Sequence, residues 1–441
     1  MTRSRLNALC SAACLLLAAC GGGGDSGGSG ADLPAQEDPV GQSASATSAP
    51  GEVLVKLDRA ADLSPLLAQY GLSVLGQFGQ RQIYRLVAAA GTDTEALAAR
   101  LAADPRVKFA EPNLMHATPE SRRRQVWAIG GNAGTYATQW NTAALRLAEA
   151  HAISRGSGVT VAVLDTGVDA SHPALAGRLV PGFDFVGFDA APDEEGVVGD
   201  PGYGHGTHVA SLVAQVAPQA RIMPVRVLDR EGTGNVWVLA EGLLHAVDPD
   251  GNPDSDDGAE VINLSLGTTR RTRLLDDIIE RVSCGDDYDD DDDDGDEDTR
   301  RCTASRGAVV VSAAGNSGDE TLHFPAAEKH DGALAVAAST EAGRLAGFST
   351  RGDWVQVAAP GERIHGALPD GAWGLWSGTS MAAPMVAGAA ALLRSKFPEW
   401  KPSDVTGKLQ SNGRVLCGSD LKQVDAASAL DGTSGPSIVC R

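Results

Sequence analysis

The chain has 441 residues, 43% of them hydrophobic, and a formal net charge of −21. That length holds roughly two to three domains, and the acidic balance excludes nucleic acid as a partner, because no basic stripe is present to neutralise phosphates. Much of the acidity is local: residues 286–298 carry ten Asp and one Glu, while the basic run Arg122-Arg123-Arg124 is brief.

Arg3 and Arg5 precede an apolar run from Ala8 to Ala19, too short to span a bilayer and shaped like a secretory signal. Its end, Leu17-Ala18-Ala19-Cys20, resembles the lipobox of bacterial lipoproteins. That resemblance implies removal of residues 1–19, acylation of Cys20, and an exported protein held at the cell envelope by a lipid anchor. An ordinary signal peptide with a chance cysteine is the alternative. Residues 20–50 are rich in Gly, Ser, Ala and Pro and read as a flexible tether.

From Gly51 the pattern changes. Glu52–Leu57 alternates like a strand, residues 60–70 read as a helix, and Leu72–Phe78 and Gln82–Ala88 read as two strands. A helix over Thr94–Ala103 and a strand over Val107–Pro112 complete a β-α-β-β-α-β order, the split βαβ plan, in a small domain over 51–117. About seventy residues make a marginal core on their own.

The remainder, 125–441, reads as a second domain. A helix is expected over Leu145–Ala152, then a continuous apolar strand over Gly158–Leu164 that ends at Asp165-Thr166-Gly167. Strand-like runs recur at Arg221–Leu228, Val261–Leu266, Ala308–Ser312 and Ala333–Ala338, and helices at His205–Val216, Val236–Val247 and Leu274–Val282 alternate with them. Apolar strands alternating with helices predict an α/β fold whose mostly parallel central sheet is covered on both faces.

Four cysteines lie beyond the N-terminal segment: Cys284, Cys302, Cys417 and Cys440. They allow three pairings, and sequence proximity favours Cys284 with Cys302 and Cys417 with Cys440; four reduced thiols are the alternative. Cys284 and Cys302 bracket the acidic insertion 284–302. A solvated loop is the favoured reading of that run, with a weak calcium or partner site the functional alternative. The ordered oxygen spacing of a twelve-residue calcium loop is absent from it.

The chemistry concentrates in four places. Asp165 sits at the carboxyl end of a strand, where open parallel sheets place ligands. His205, in Gly204-His205-Gly206-Thr207-His208, opens a helix. Ser380, in Ser377-Gly378-Thr379-Ser380-Met381-Ala382-Ala383-Pro384, stands at the first turn of a helix that is apolar on every side, where free N–H groups favour developing negative charge. Asn316 follows the strand Val309–Ser312 through the small turn Ala313-Ala314-Gly315. A serine needs a base to take its proton, the base needs an orienting acid, and the oxyanion needs a donor. His205-x-x-His208 also permits metal ligation, but without the accompanying Glu of the helical zinc motif no metal is expected.

With these four stretches in hand the chain resembles the subtilisin-like serine proteases, whose triad follows the order Asp, His, Ser. The resemblance runs from about Gln139 to about Lys396 and includes Val261–Gly267, Phe348-Ser349-Thr350 and Ala359-Pro360-Gly361. It implies a three-layer fold with Asp165 as orienting acid, His205 as general acid and base, Ser380 as nucleophile and Asn316 as oxyanion donor. It also implies two edges that pair with an extended substrate, Gly232-Thr233-Gly234 and Ser265-Leu266-Gly267. Ala313, Ala314 and Gly315 would line a roomy, apolar pocket for the side chain before the scissile bond. Domain 51–117 resembles the family's inhibitory propeptide, which implies a self-processing zymogen, with the cut between residues 113 and 125. No cofactor is required on this reading; the partners are peptide or protein substrates, the chain's own propeptide and the membrane. In place of the family's calcium loop after the His motif, Ala210–Pro218 goes directly across. A non-catalytic binding protein on the same fold would show an altered triad, which this sequence does not.

Overall fold

The computed structural model describes residues 48–120, 128–252, 255, 257–284 and 307–440, all within one compact unit, Ala44–Arg441. Cys20 with the signal-like segment, the acidic run and Cys302 lie outside the described residues.

The N-terminal module contains β1 (Ser48–Leu57), β2 (Ser73–Gln77), β3 (Ile83–Val87) and β4 (Val107–Ala117), with helices Leu63–Tyr70 and Thr94–Ala102 between them. The split βαβ order is therefore present, with β1 antiparallel to both β3 and β4. Successive side chains of a strand face opposite ways, and β1 uses both faces. Val53, Val55 and Leu57 enter the module's own core with Leu66, Leu97 and Leu101. Leu54 turns to the other side, joining Phe78, Ile83, Phe109 and Leu114 in a core shared with Trp237, Leu243 and Leu275 of the larger domain. One face of the small sheet is thus dry only because the larger domain covers it.

The larger domain supplies β5 (Ala128–Ile129), β6 (Thr160–Asp165), β7 (Phe183–Asp184), β8 (Arg221–Arg226), β9 (Thr233–Asn235), β10 (Val261–Leu264), β11 (Val309–Ala313), β12 (Ala333–Ser339), β13 (Val357–Pro360), β14 (Ile364–Leu368), β15 (Ala372–Trp376), β16 (Arg414–Val415) and β17 (Lys422–Gln423). Nine of these form a sheet in the order β16-β17-β13-β12-β11-β10-β6-β8-β7, in which every pairing but β16 with β17 is parallel. Val161, Val163, Val309 and Val311 face a core with helices His205–Val216 and Thr379–Lys396. Ala162, Leu164, Ile262 and Val310 face the opposite core with helices Val236–Val247 and Arg273–Cys284. Strands buried on both faces read as unbroken apolar runs for this reason. The strand expected to reach Leu228 stops at Arg226, because the N–H groups of Val227 and Leu228 both turn back onto the Asp165 carbonyl, at 2.9 and 3.1 Å.

Helix Thr379–Lys396 contains Pro384, which has no N–H for the carbonyl four residues earlier. That carbonyl belongs to Ser380, and the Ser265 hydroxyl donates to it at 3.0 Å. Cys417 and Cys440 form a disulfide, and Cys284 is disulfide-bonded at the end of its helix; its expected partner, Cys302, lies outside the described residues. No described helix is long and apolar enough to cross a membrane.

The two central helices cross at Gly388, where an added Cβ would lie 2.6 Å from the Val216 Cβ. Gly388→Ala should therefore destabilise the fold by about 1–3 kcal/mol, the cost of overpacking a tight core, despite the better helix propensity of Ala. Urea unfolding of the Gly388→Ala and parent proteins, both carrying Ser380→Ala to prevent self-digestion, measures the difference; an unchanged midpoint would refute the crossing contact.

Candidate active site

The ends of the parallel strands converge where the sequence places its four polar residues. Asp165 closes β6, and its Oδ1 lies 2.7 Å from His205 Nδ1 while also accepting the Thr166 N–H at 2.8 Å. His205 begins its helix directly after Gly204, and its ring packs against Trp376, with centroids 5.3 Å apart. Ser380 is the second residue of the central helix. Asn316 hangs from the turn after β11, its side-chain carbonyl held by the Thr379 N–H at 2.9 Å and the Thr379 hydroxyl at 3.0 Å. Those two donors fix the amide orientation, so that the Asn316 Nδ2 donor faces the cleft.

A fifth group, absent from the sequence reading, sits among them. The Glu120 carboxylate accepts the Ser380 hydroxyl at 2.7 Å through Oε2 and the Asn316 Nδ2 at 2.8 Å through Oε1. Its Oε2 also lies 3.3 Å from His205 Nε2. Ser380 therefore donates to Glu120 rather than to His205, and Ser380, His205 and Asp165 are all buried. Gly378 makes room for this carboxylate: a Cβ there would fall 1.7 Å from Glu120 Oε1. Burial alone would lower the His205 pKa, but Asp165 and Glu120 outweigh it and push the ring up to about 10. His208 is spent elsewhere, with Nε2 3.2 Å from the Ile364 carbonyl, and burial beside His205 pushes it down to about 3.

Glu120 reaches the cleft because the chain before it is bound as a strand. β4 pairs antiparallel with β9, placing Met115 opposite Asn235, His116 opposite Gly234 and Ala117 opposite Thr233. The Thr118 N–H donates to the Gly232 carbonyl at 3.0 Å, and Ala117 exchanges two backbone bonds with Gly267, at 3.0 and 2.9 Å. The two edges expected to hold substrate, Gly232-Thr233-Gly234 and Ser265-Leu266-Gly267, thus clasp the chain's own tail. An imidazole stands beside the Ala313-Ala314-Gly315 turn, which is expected to line a roomy, apolar pocket. A Cβ on Gly315 would lie 2.6 Å from the His323 ring, which is hydrogen-bonded to Ser317 Oγ at 2.9 Å. Among the described residues, Asp276, Glu328 and His330, and separately Asp248, Asp250 and Asp257, stand close enough to share a cation; Arg271 already bonds Glu328 in the first group, at 3.1 Å.

An Asp–His pair, a helix-start serine and an aimed amide gather at the carboxyl edge of the sheet, an arrangement like that of the subtilisin-like serine endopeptidases. Comparison agrees: residues 156–428 match the subtilase family, and residues 34–113 match the fervidolysin N-terminal prodomain. The chain belongs to the subtilase family. It is 36% identical over 319 residues to the thermophilic serine proteinase of Bacillus sp. strain AK1, covering 69% of this chain and 67% of that protein. It is 37% identical to thermitase of Thermoactinomyces vulgaris, covering 58% of this chain and 82% of that protein. In fold it resembles the crystal structure of fervidolysin from Fervidobacterium pennivorans, a keratinolytic enzyme related to subtilisin. The TM-score is 0.67 at 24% identity, over 88% of this chain and 62% of that one.

The prodomain holds the larger domain through its own acids. Glu111 accepts the N–H groups of Arg273 and Leu274, at 2.8 and 3.1 Å, at the start of helix Arg273–Cys284, a position where a helix favours negative charge. Asn113 accepts the Trp237 N–H at 3.1 Å. Burial nonetheless outweighs the two N–H bonds and pushes Glu111 up to about 7. A carboxyl raised on association is bound best in its protonated form. The grip is therefore fullest below the ordinary glutamate pKa of 4.5 and weakens as pH rises toward about 7. Unfolding midpoints of the Ser380→Ala precursor between pH 5 and 8 should fall less steeply when Glu111→Gln is added; identical slopes would refute the assignment.

Proposed function

We propose that the chain is the zymogen of a serine endopeptidase that passes through an acyl-enzyme on Ser380. One observation carries this reading: a single carboxylate, Glu120, touches Ser380 Oγ with one oxygen and Asn316 Nδ2 with the other. A carboxylate so held stands where the reacting carbonyl of a bound peptide would stand, with one oxygen in the oxyanion position. With Glu120 gone, His205 is free to take the Ser380 proton and pass it to the leaving amine, while Asp165 holds the ring in its tautomer and stabilises the imidazolium. Asn316 Nδ2 donates to the oxyanion as it forms, a role that demands a preset donor and no rearrangement. The two edges bind substrate backbone as an added strand, so side chains outside the pocket matter little and specificity is broad.

Ser380→Ala should abolish peptide hydrolysis and labelling by serine-directed phosphonates, and should leave the precursor uncut; labelling that persisted would sink the assignment. Asn316→Ala should lower turnover by about 10² to 10³, the range known for an oxyanion donor of subtilisin itself.

The remaining parts of the proposal concern maturation and place. The prodomain, 51–117, acts as an intramolecular inhibitor, and the cut falls between residues 113 and 125, after the strand that fills the cleft. Residues 1–19 direct export, Cys20 carries the lipid, and 20–50 tether the rest to the membrane. The order anchor, tether, inhibitor, cut site, protease makes processing a release step. The precursor should therefore sediment with membranes and the processed enzyme should appear in the soluble exported fraction, with Ser380→Ala retaining all material at the membrane. Processed, active enzyme found wholly with membranes would overturn the release model.

A further inference from the structure

A second, half-buried carboxylate stands close to Asp165, and none of the roles above uses it. Glu194 Oε1 accepts the Thr166 hydroxyl at 2.6 Å, and its Oε2 accepts the Thr207 N–H at 3.0 Å and the Thr207 hydroxyl at 2.9 Å. Thr166 follows Asp165 directly, and Thr207 lies two residues beyond His205. The same two threonines knit their turns further: Thr166 Oγ1 accepts the Gly206 N–H at 2.9 Å and Thr207 Oγ1 accepts the Asp169 N–H at 2.9 Å. The loop that carries Glu194 is pinned on both sides. The Val168 N–H donates to the Pro192 carbonyl at 3.0 Å, and Gly167, at φ +105°, leaves a gap that a Cβ would close to 2.3 Å from the Asp193 carbonyl. Glu195 accepts Arg226 Nη2 at 2.6 Å, and Arg226 Nη1 holds Asp184 at 2.8 Å.

We propose that Glu194 is a positioning residue of this protease, bridging the turn after Asp165 to the first turn of the His205 helix so that the Asp165–His205 bond keeps its geometry through the reaction. Three donors and no acceptor point at its carboxylate, an arrangement suited to a group that only accepts. Burial pushes Glu194 up to about 7, and the charge of Asp165 adds to that. Glu194 in turn helps to raise Tyr203; Asp193 and Glu195 flank Glu194 in the loop. Negative charge on Glu194 favours the imidazolium on His205, so its effect reaches the chemistry through another side chain.

The inference rests on the protease reading, and the test separates the two. In mature enzyme, Glu194→Gln, which keeps the shape and removes the charge, is measured beside Thr207→Val, which removes the hydroxyl's bonds to Glu194 and to the Asp169 N–H and leaves the charge. Both should lower kcat on a peptide anilide by about 10- to 100-fold, the scale of a small misplacement of reacting groups, with KM within about twofold. Glu194→Gln should also move the acid limb of kcat/KM to lower pH, a change that a purely structural brace would not produce. Thr207→Ser, which restores the hydroxyl, should recover most of the loss seen in Thr207→Val. Wild-type kcat and an unmoved acid limb in folded Glu194→Gln would overturn the proposal. If that variant fails to fold, wild-type kcat in Thr207→Val would overturn it. Failure of the wild type itself to cleave the anilide would instead overturn the protease reading.

Discussion

The site depends on a helix with no solvent face. Residues 379–394 are all buried, and Ala and Gly among them let strands and a second helix come close. A helix so enclosed has no freedom to tilt, which fixes its first turn and Ser380 with it. The proline five residues from its start removes one backbone bond at that turn. Ser265 fills the gap, so the helix is tied to an edge that also clasps an extended chain. The packing of the helix and the pairing with the prodomain tail thus meet on one short edge, Ser265 to Gly267.

Much of this was legible in the sequence. Asp165, His205, Asn316 and Ser380 each sit at a strand end or helix start flagged by glycines and small residues, and local patterns of that kind survive without knowledge of the fold. The prodomain's alternation showed its strands, and the apolar runs showed the parallel sheet. Glu120 and Glu194 were not legible, because an acid in a polar loop looks like any solvated acid. Their meaning comes from which distant groups the folded loops set beside them, 260 residues apart for Glu120 and Ser380. The hairpin of β14 and β15 did carry a signal, Pro369-Asp370-Gly371, in which Asp370 and Gly371 both take positive φ; turn chemistry of that kind identifies a hairpin. The His323 imidazole beside Gly315 had no local signature, since its partner lies across a turn.

Three carboxylates, Glu120 buried and Glu111 and Glu194 half-buried, are each answered by donors rather than by a cation alone: a serine with an amide, helix N–H groups, and two threonines. Burying a charge without such partners costs several kcal/mol. Two of the three remain raised to about 7 even so, which leaves both the prodomain contact and the region behind Asp165 near their titration points at neutral pH.

The strand β4 belongs to two sheets at once, pairing with β1 inside the prodomain and with β9 in the cleft. While the chain is whole, that strand faces its cleft at an effective concentration of order millimolar, set by the short connection. Severing the connection turns the same contacts into a bimolecular equilibrium without changing a single one of them. On the proposed processing, occupancy of the cleft would then follow the bulk concentration of the prodomain, and dilution itself would be the signal.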